Sequence, residues 1–440
     1  ENKNPIPFPL PSGSEIRGVK MDLLVLKNQA LALAFNVLSW LRALLPEFLR
    51  AKRPAAPGEE CARCVQIEGP GGLDQLRLVP LRDHESTSGY NLKGSRNTRS
   101  DIAIEDHMVL VCVKNFSVNF ADVTIRWGLY ESALRYVGWP IVPGFDFSGT
   151  VIKAGKASKF SEGDMVFGYT LFGAYSTRLL VPARQIRRVP SCLDMKTAAA
   201  LPAVAGTALH AMKLAGAWPQ KPLTKNRAVL IHSAAGGVGS TLVQMAKLCG
   251  CSPIVGVVGS PFKIDVCRKM GADVVICRAS MDLWREARKA SPEGYMAIFD
   301  ANGVATLKQS YQHLSQCGRL IVYGFHTNLP KASQYLSPWN WIKMAWGMLN
   351  MPSFDAMDMC LSSKAVLGFN LSFFSKEDEM TTAYLDQVLR WVEERKLRTP
   401  TISVFPMHKV GEAHALIQSG KSVGKLVIST GATSPKEEKK

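Results

Sequence analysis

The chain has 440 residues, 47% of them apolar and 20% charged, with a formal net charge of +17. That length and apolar content suit two domains with buried cores plus some extra chain. The positive charge is spread along the sequence and comes with no recognition motif, which argues against nucleic acid as a partner. A basic mitochondrial matrix protein, a pocket for phosphate groups or a surface facing anionic lipid fits better.

In chain order, residues 1 to about 20 carry Pro5, Pro7, Pro9 and Pro11 and read as an extended arm. The sequence opens at Glu1 without a Met, so a processed product is expected. From Met21 to about Phe48 leucines dominate, while Asp22, Gln29 and Asn36 recur seven apart on one helical stripe. The uncharged stretch between Lys27 and Arg42 is shorter than the ~20 residues of a spanning helix. An amphipathic helix at a membrane interface or in a partner's groove is one reading; a helix packed on its own domain is the other. Residues 50–57 read as a linker.

Ten scattered cysteines suggest a reducing compartment. Cys61 and Cys64 form a C-x-x-C with no second pair, on an expected first strand, so coincidence outweighs a metal or redox role. The segment 64–81 reads as a hairpin and 86–100 as a surface loop. Strands follow from Met108, with further strand candidates at 151–166 and 174–181. Met195 to Leu214 reads as one helix.

The stretch 227–250, RAVLIHSAAGGVGSTLVQMAKLCG, organises the rest. It is a strand, then a small-residue turn with Ala235, Gly236, Gly237, Val238 and Gly239, then a helix with apolar Leu242, Val243, Ala246 and Leu248. That pattern opens a nucleotide-binding βαβ unit: the glycines admit a pyrophosphate, and the helix N-terminus offers free N–H groups. Further strands at 254–258, 273–277, 297–300 and 319–323 alternate with helices, predicting a parallel doubly wound sheet. Residues 330–363 crowd Trp339, Trp341, Trp346, Met344, Met348, Met351, Met357 and Met359 into a stretch with little charge. That composition suits a substrate, subunit or membrane surface, or core packing under a lid. VLGFNLSFF at 366–374 starts a strand, a long helix lies around 380–395, and KSVGKLVIST reads as a closing strand before a charged tail.

Seven blocks, in order, resemble the zinc-free quinone-oxidoreductase branch of the medium-chain dehydrogenase/reductase superfamily. They are NFADVTIRWGLY (119–130), VPGFDFSG (142–149), SEGDMVFG (161–168), AAALPAVAGTALHA (198–211), VLIHSAAGGVG (229–239), GRLIVYG (318–324) and GKSVGKLVIS (420–429). Within the branch, the Trp-rich insert and GFNLSFF are most similar to the vesicle amine transport protein homologues. The resemblance implies an α/β fold: a GroES-like β-barrel catalytic domain plus a Rossmann doubly wound parallel sheet, with an N-terminal helical extension. The implied domains are an arm at 1–58, catalytic domain at 59–196 and 370–430, cofactor domain at 197–369, and a tail at 431–440.

The zinc alcohol dehydrogenases of that superfamily hold catalytic zinc by a Cys and a His in the blocks around Asn119 and Phe145. Here those positions lack soft ligands, so metal-free hydride transfer is expected. An NAD site would place an acid after the second strand, whereas this chain has Val258, Gly259 and Ser260, with Lys263 close behind and Arg278 after the third strand. NADPH is therefore the expected cofactor, with Ser260, Lys263 and Arg278 for its 2′-phosphate. The resemblance further implies that Asn119, Asp122 and Tyr130 line the active cleft. Tyr130 would donate a proton or polarise a carbonyl, and Asp122 would hold the geometry. Thr207 would bond the nicotinamide side, and Gly324 closes the fifth strand of the site.

The functional expectation is an oxidoreductase transferring hydride from NADPH to a quinone or an activated enone or enoyl C=C. The alternative is a cofactor-binding accessory subunit of a mitochondrial or other membrane assembly, partnered through residues 21–48 and 330–363. A homodimer through the cofactor domains is an expected assembly. The expected location is mitochondrial, on the matrix side and associated with membrane, with the cytoplasm as the alternative.

Overall fold

The computed structural model describes residues 62–81, 104–219, 226–328, 338–374 and 378–433. The arm and helix expected at 1–48, the linker, Cys61, the loop at 86–100 and the charged tail from 435 onward lie outside the described residues.

The chain enters as the expected hairpin, β1 (Arg63–Gln66) antiparallel to β2 (Arg77–Pro80). Cys64 is a fully buried core side chain there. β3 (Met108–Val118) is an apolar run buried along most of its length. Two short helices follow, α1 (Phe120–Arg126) and α2 (Glu131–Tyr136). Next come β4 (Asp146–Ala154), β5 (Met165–Tyr169), β6 (Arg178–Pro182) and β7 (Ile186–Arg188). The strand candidate at 151–166 is thus the end of β4, a turn and the start of β5. β3 has 11 residues, enough to pair β6 along its first half (108–112) and the chain's last strand along its second (115–118), with β4 on its other edge. One strand serving three neighbours curls the seven-stranded sheet into a barrel.

The single helix expected over 195–214 is two: α3 (Met195–Ala199) and α4 (Pro202–Leu214). Asp194 caps α3 through the Lys196 and Thr197 N–H groups at 2.8 and 2.9 Å. Pro202 is the reason for the break: without an N–H it opens a helix but cannot continue one.

The cofactor domain runs β8 (Val229–Ile231), α5 (Gly237–Leu248), β9 (Ile254–Val258), α6 (Ile264–Met270), β10 (Val274–Cys277), α7 (Leu283–Ala290), β11 (Tyr295–Asp300), α8 (Leu307–Gln312) and β12 (Leu314–Val322). After α9 (Pro338–Leu349) and α10 (Ala356–Ser362), β13 (Ala365–Gly368) completes the sheet. The six strands are parallel in the order β10-β9-β8-β11-β12-β13. β8, β9 and β11 are buried at every residue, as strands covered on both faces must be. The order reverses between β8 and β11, so a crevice opens at the C-terminal ends of these two strands.

α11 (Asp378–Glu393) leads to β14 (Ile402–Pro406), α12 (Val410–Gln418) and β15 (Lys425–Ser429). The sequence reading returned the chain to the catalytic domain at 370. In the structure α11 touches both domains, with Thr381 bonded to Tyr169 and Asp386 to Arg187 of the barrel. Tyr384, Leu385, Val388 and Val392 of α11 share one core with α4, α5 and β8, and the barrel sheet resumes only at Ile402.

The Trp/Met-rich stretch is mostly helical; Phe354 packs against the core and Met344 and Met359 are half-buried, but the core-packing reading does not hold for its other described apolar side chains. Trp339, Ile342, Trp346 and Leu349 of α9 are 57–80% exposed, and Met357 and Leu361 of α10 are exposed as well. Trp341 and Met348 have side chains outside the described set. Among the described residues no helix is long and apolar enough to cross a membrane.

Candidate active site

A cavity of about 1650 Å³ lies where the barrel meets the C-terminal ends of the parallel strands. Ala235, Gly236, Gly237, Val238 and Gly239 line it, as the sequence places them. The turn is tight: a Cβ on Gly239 would sit 2.3 Å from the Ser233 carbonyl oxygen. A Cβ on Gly237 would come within 2.9 Å of the Lys425 side chain of the other domain and 2.8 Å of Val204 on α4. Gly236 caps α5 with no side chain accepting from the first turn, so that turn presents N–H groups and the positive end of the helix dipole. Gly324 also lines the cavity and has no room for a Cβ, 2.9 Å from the Ala301 carbonyl oxygen.

The basic end departs from the sequence reading. Gly259, Lys263 and Arg278 line the cavity, and Ser260 does not. The Arg278 guanidinium lies over Gly259, 3.6 Å from where a Cβ would stand. Lys263 instead donates to two carbonyls of the catalytic domain, Gly420 at 2.8 Å and Ser422 at 2.6 Å. Its side chain is buried, and burial with the nearby Arg278 charge lowers its pKa. Lys263 therefore fastens the two domains together beside the site.

At the reacting end, Asn119 ends β3 and precedes α1. Its Oδ1 accepts from Lys425 Nζ at 2.7 Å and its Nδ2 donates to Asp146 Oδ1 at 3.0 Å. An ammonium only donates and a carboxylate only accepts, so these two partners fix which way the amide points. Lys425 Nζ is 3.7 Å from Asp146 Oδ2 and 3.3 Å from the Val118 carbonyl, and both charged side chains are buried. Burial lowers the Lys425 pKa, opposed by the Asp146 charge.

Asp122, expected in the cleft, is not in it. Its carboxylate is fully buried behind α1 and accepts from the Asn119 N–H at 2.7 Å, the Gly144 N–H at 3.1 Å and the Tyr175 hydroxyl at 3.1 Å. Burial raises its pKa from 3.8 to about 7. It holds the start of α1, which agrees with the geometric role given to it.

Tyr130 lines the cavity, and its hydroxyl donates to Asn370 Oδ1 at 3.0 Å. Asn370 Oδ1 is itself held by the Ser372 N–H and Oγ, at 3.0 and 2.8 Å. Burial raises the Tyr130 pKa, which keeps the phenol protonated. Thr207 lines the cavity with its hydroxyl bonded back to the Ala203 carbonyl at 2.7 Å. The His326 ring packs on Phe120 at 4.1 Å, tilted by 43°, and burial lowers its pKa to about 4. Asp146, Lys425 and Asn370 were missing from the sequence reading, although each sits in a block that reading quoted: VPGFDFSG, GKSVGKLVIS and GFNLSFF. Among the described residues no three His, Cys, Asp or Glu side chains come together as a metal set.

Residues 105–191 match the alcohol dehydrogenase GroES-like domain, and residues 237–383 match the zinc-binding dehydrogenase family. The two matches fall in that order on the barrel and on the parallel sheet. The chain belongs to the medium-chain dehydrogenase/reductase superfamily. Its similarity to the rat synaptic vesicle membrane protein VAT-1 homolog is 26% identity over 370 residues, covering 84% of each chain. Among solved structures, the Escherichia coli quinone oxidoreductase complexed with NADPH has the same fold, with a TM-score of 0.66 at 20% identity over 84% of this chain and 100% of that one. So does the CurK enoyl reductase, with a TM-score of 0.67 at 21% identity over 84% and 99%. The superfamily accounts for the discontinuous barrel and for the cleft between it and the cofactor domain.

Proposed function

We propose that this chain is a zinc-independent, NADPH-dependent oxidoreductase that reduces a quinone or the activated C=C bond of an enone or enoyl thioester. One observation carries the reading: a single cavity brings the open glycine turn and Arg278 together with the oriented amide of Asn119 and the protonated phenol of Tyr130. The first turn of α5 would hold the pyrophosphate and Arg278 the 2′-phosphate, with Thr207 toward the nicotinamide. When bound, the reduced nicotinamide supplies the hydride, and each turnover takes up one further proton. The chain's own residues do the rest. Asn119 has one amide hydrogen beyond its bond to Asp146 and directs it at the acceptor oxygen. Tyr130 offers an O–H whose present acceptor, Asn370 Oδ1, can be exchanged for a substrate oxygen. His326, kept neutral by burial, carries no charge into the site.

Zinc independence is supported by the two positions themselves. Phe145 has no ligand atom, and the Asn119 amide is already engaged by a lysine and a carboxylate. The NADPH complex of the E. coli relative and the enoyl reductase neighbour support the cofactor and the two acceptor classes. The test is oxidation of NADPH by the purified chain with an ortho-quinone, a para-quinone, a short enal and a crotonyl thioester. Turnover on one class, reduced in Tyr130→Phe, is the expected result. NADPH binding with no turnover on any of them refutes it and leaves the accessory-subunit alternative.

A further inference from the structure

The cavity is larger than its cofactor end needs. Small-molecule sites span about 300–1,000 Å³, and this one holds about 1650 Å³. Beyond Asn119 and Tyr130 its wall changes character. On one side it is aromatic, from Phe369, Phe373 and Tyr384, and on the other it is the apolar face of α9. α9 packs on the turn His326–Asn328, and the His326 ring touches that of Phe120, the residue after Asn119. The α9 wall therefore adjoins the reacting end.

Ile342 and Leu349 are seven residues apart, on one face of α9. Both line the cavity, and both are open to water, 57% and 80% exposed. The wall does not close; it continues to the surface as an apolar track. Trp339 and Trp346, also seven apart, extend it at 77% and 68% exposure. None of the α9 residues lining the cavity carries a charge, while the cationic lining side chains Lys263, Arg278 and Lys425 lie along the cofactor turn and behind Asn119. A ligand lying along this track is uncharged there and long enough to run from Tyr130 to the mouth.

We propose that the α9 track binds the hydrocarbon tail of the acceptor, so that the molecule reduced at Tyr130 is an alkylated or prenylated quinone. This rests on the oxidoreductase reading. The head group lies at Asn119 and Tyr130, and the tail leaves along Ile342 and Leu349.

The experiment uses the full chain and benzoquinones with one head group and no tail, a decyl tail or a short prenyl tail. NADPH oxidation gives kcat/KM. Equilibrium binding is measured in parallel with a redox-inert mimic, the dimethyl ether of the decyl hydroquinone. Burial of each methylene is worth about fourfold, so the decyl quinone is expected to exceed the tail-less one at least tenfold in kcat/KM. Ile342→Glu and Leu349→Glu should each cut that ratio at least fivefold and weaken the decyl ether in step. These sites are exposed, so the variants are expected to fold, and circular dichroism checks that they do. Equal kcat/KM across tail lengths, or a tail preference untouched by both variants, overturns the proposal and leaves the track to a second copy or a membrane surface. Tail-dependent binding of the ether without turnover of any quinone, enal or enoyl thioester supports the tail site and refutes the oxidoreductase reading, so the two failures are distinct.

Discussion

Lys263 and Arg278 sit at the same end of the cavity, and single substitutions separate their roles. The Lys263 ammonium makes two charge-assisted bonds to the Gly420 and Ser422 carbonyls, each worth about 1.5–3 kcal/mol. Both carbonyls belong to the segment that ends in Gly424, whose N–H donates to the Ala235 carbonyl of the glycine turn at 2.9 Å. Lys263→Ala therefore loosens the fit of the two domains around any dinucleotide, and NADPH and NADH should weaken together, by about tenfold for a loss of about 1.4 kcal/mol at the site. Arg278 makes no such bond; its guanidinium lies over Gly259 at the end of β9. An arginine–phosphate contact of about 1.5–3 kcal/mol gives Arg278→Ala a loss of roughly tenfold to a hundredfold for NADPH and little for NADH. Fluorescence titration of each variant with both cofactors measures the two constants and their ratio. The ratio is expected to hold in Lys263→Ala and collapse in Arg278→Ala. The reverse result would refute the reasoning, because it would mean that the Lys263 amine leaves its carbonyls to take the phosphate.

Three further outcomes are expected. Tyr130→Phe removes the phenol proton and its bond to Asn370, so it should slow enal or enoyl reduction by about a hundredfold and quinone reduction less; equal loss on both, measured as kcat, would make Tyr130 a packing residue. Asp122, with its pKa raised from 3.8 to about 7, binds its proton more tightly folded than unfolded. Its contribution to stability is therefore full below about pH 4, is lost as pH rises to about 7 and is level above, a loss of about 4 kcal/mol for a shift of about three units. Urea unfolding across that range should show the fall in wild type and lack it in Asp122→Asn; the same slope in both would remove Asp122 as its source. Lys425→Met leaves the buried Asp146 carboxylate without its counter-charge and should cost about 3–5 kcal/mol. Adding Asp146→Asn should recover part of that loss in thermal unfolding, and a simple sum of the two single losses would count against a coupled pair.

The fold was legible where local pattern and burial agree. β8, β9 and β11 of the cofactor sheet are apolar runs because both faces are covered, and the Gly236–Gly239 turn sits between such a strand and an amphipathic helix, so the sequence alone places it. Pro202 was legible in principle as a helix start, but the alanines on either side of it carry the helical signal straight across the break. The boundary near 370 is hard to read for a different reason. α11 has an ordinary amphipathic pattern, and nothing in that pattern says which domain its Tyr384 and Val388 face. Lys263 reads as a phosphate ligand because a lysine after the second strand is near a phosphate in sequence terms, while the carbonyls that hold it come from residues 157 and 159 positions later. Asp122 looked like a cleft residue because Asn119 is one; on α1 the three-residue offset carries its carboxylate behind the helix start, where backbone N–H groups face it.

The Gly424–Lys425 pair shows why the site escapes a linear reading. As sequence, GKLVI is only a closing strand. In the fold it joins both halves of the site: the Gly424 backbone is bonded to the glycine turn, and the next side chain reaches Asn119 and Asp146. The bond from Lys425 to Asn119 spans 306 residues, and it exists because β15 pairs with the second half of β3 in a register that sets Leu426 opposite Val118. In that register Leu426 and Ile428 join the barrel core, while Val427 is buried on the opposite face. The orientation of the Asn119 amide thus follows from the pairing register of a buried strand whose first residue, Lys425, supplies its partner. A slip there would separate the turn from the amide without altering either, which is why the catalytic domain must be completed by the end of the chain before the cofactor side and the acceptor side can act on one molecule.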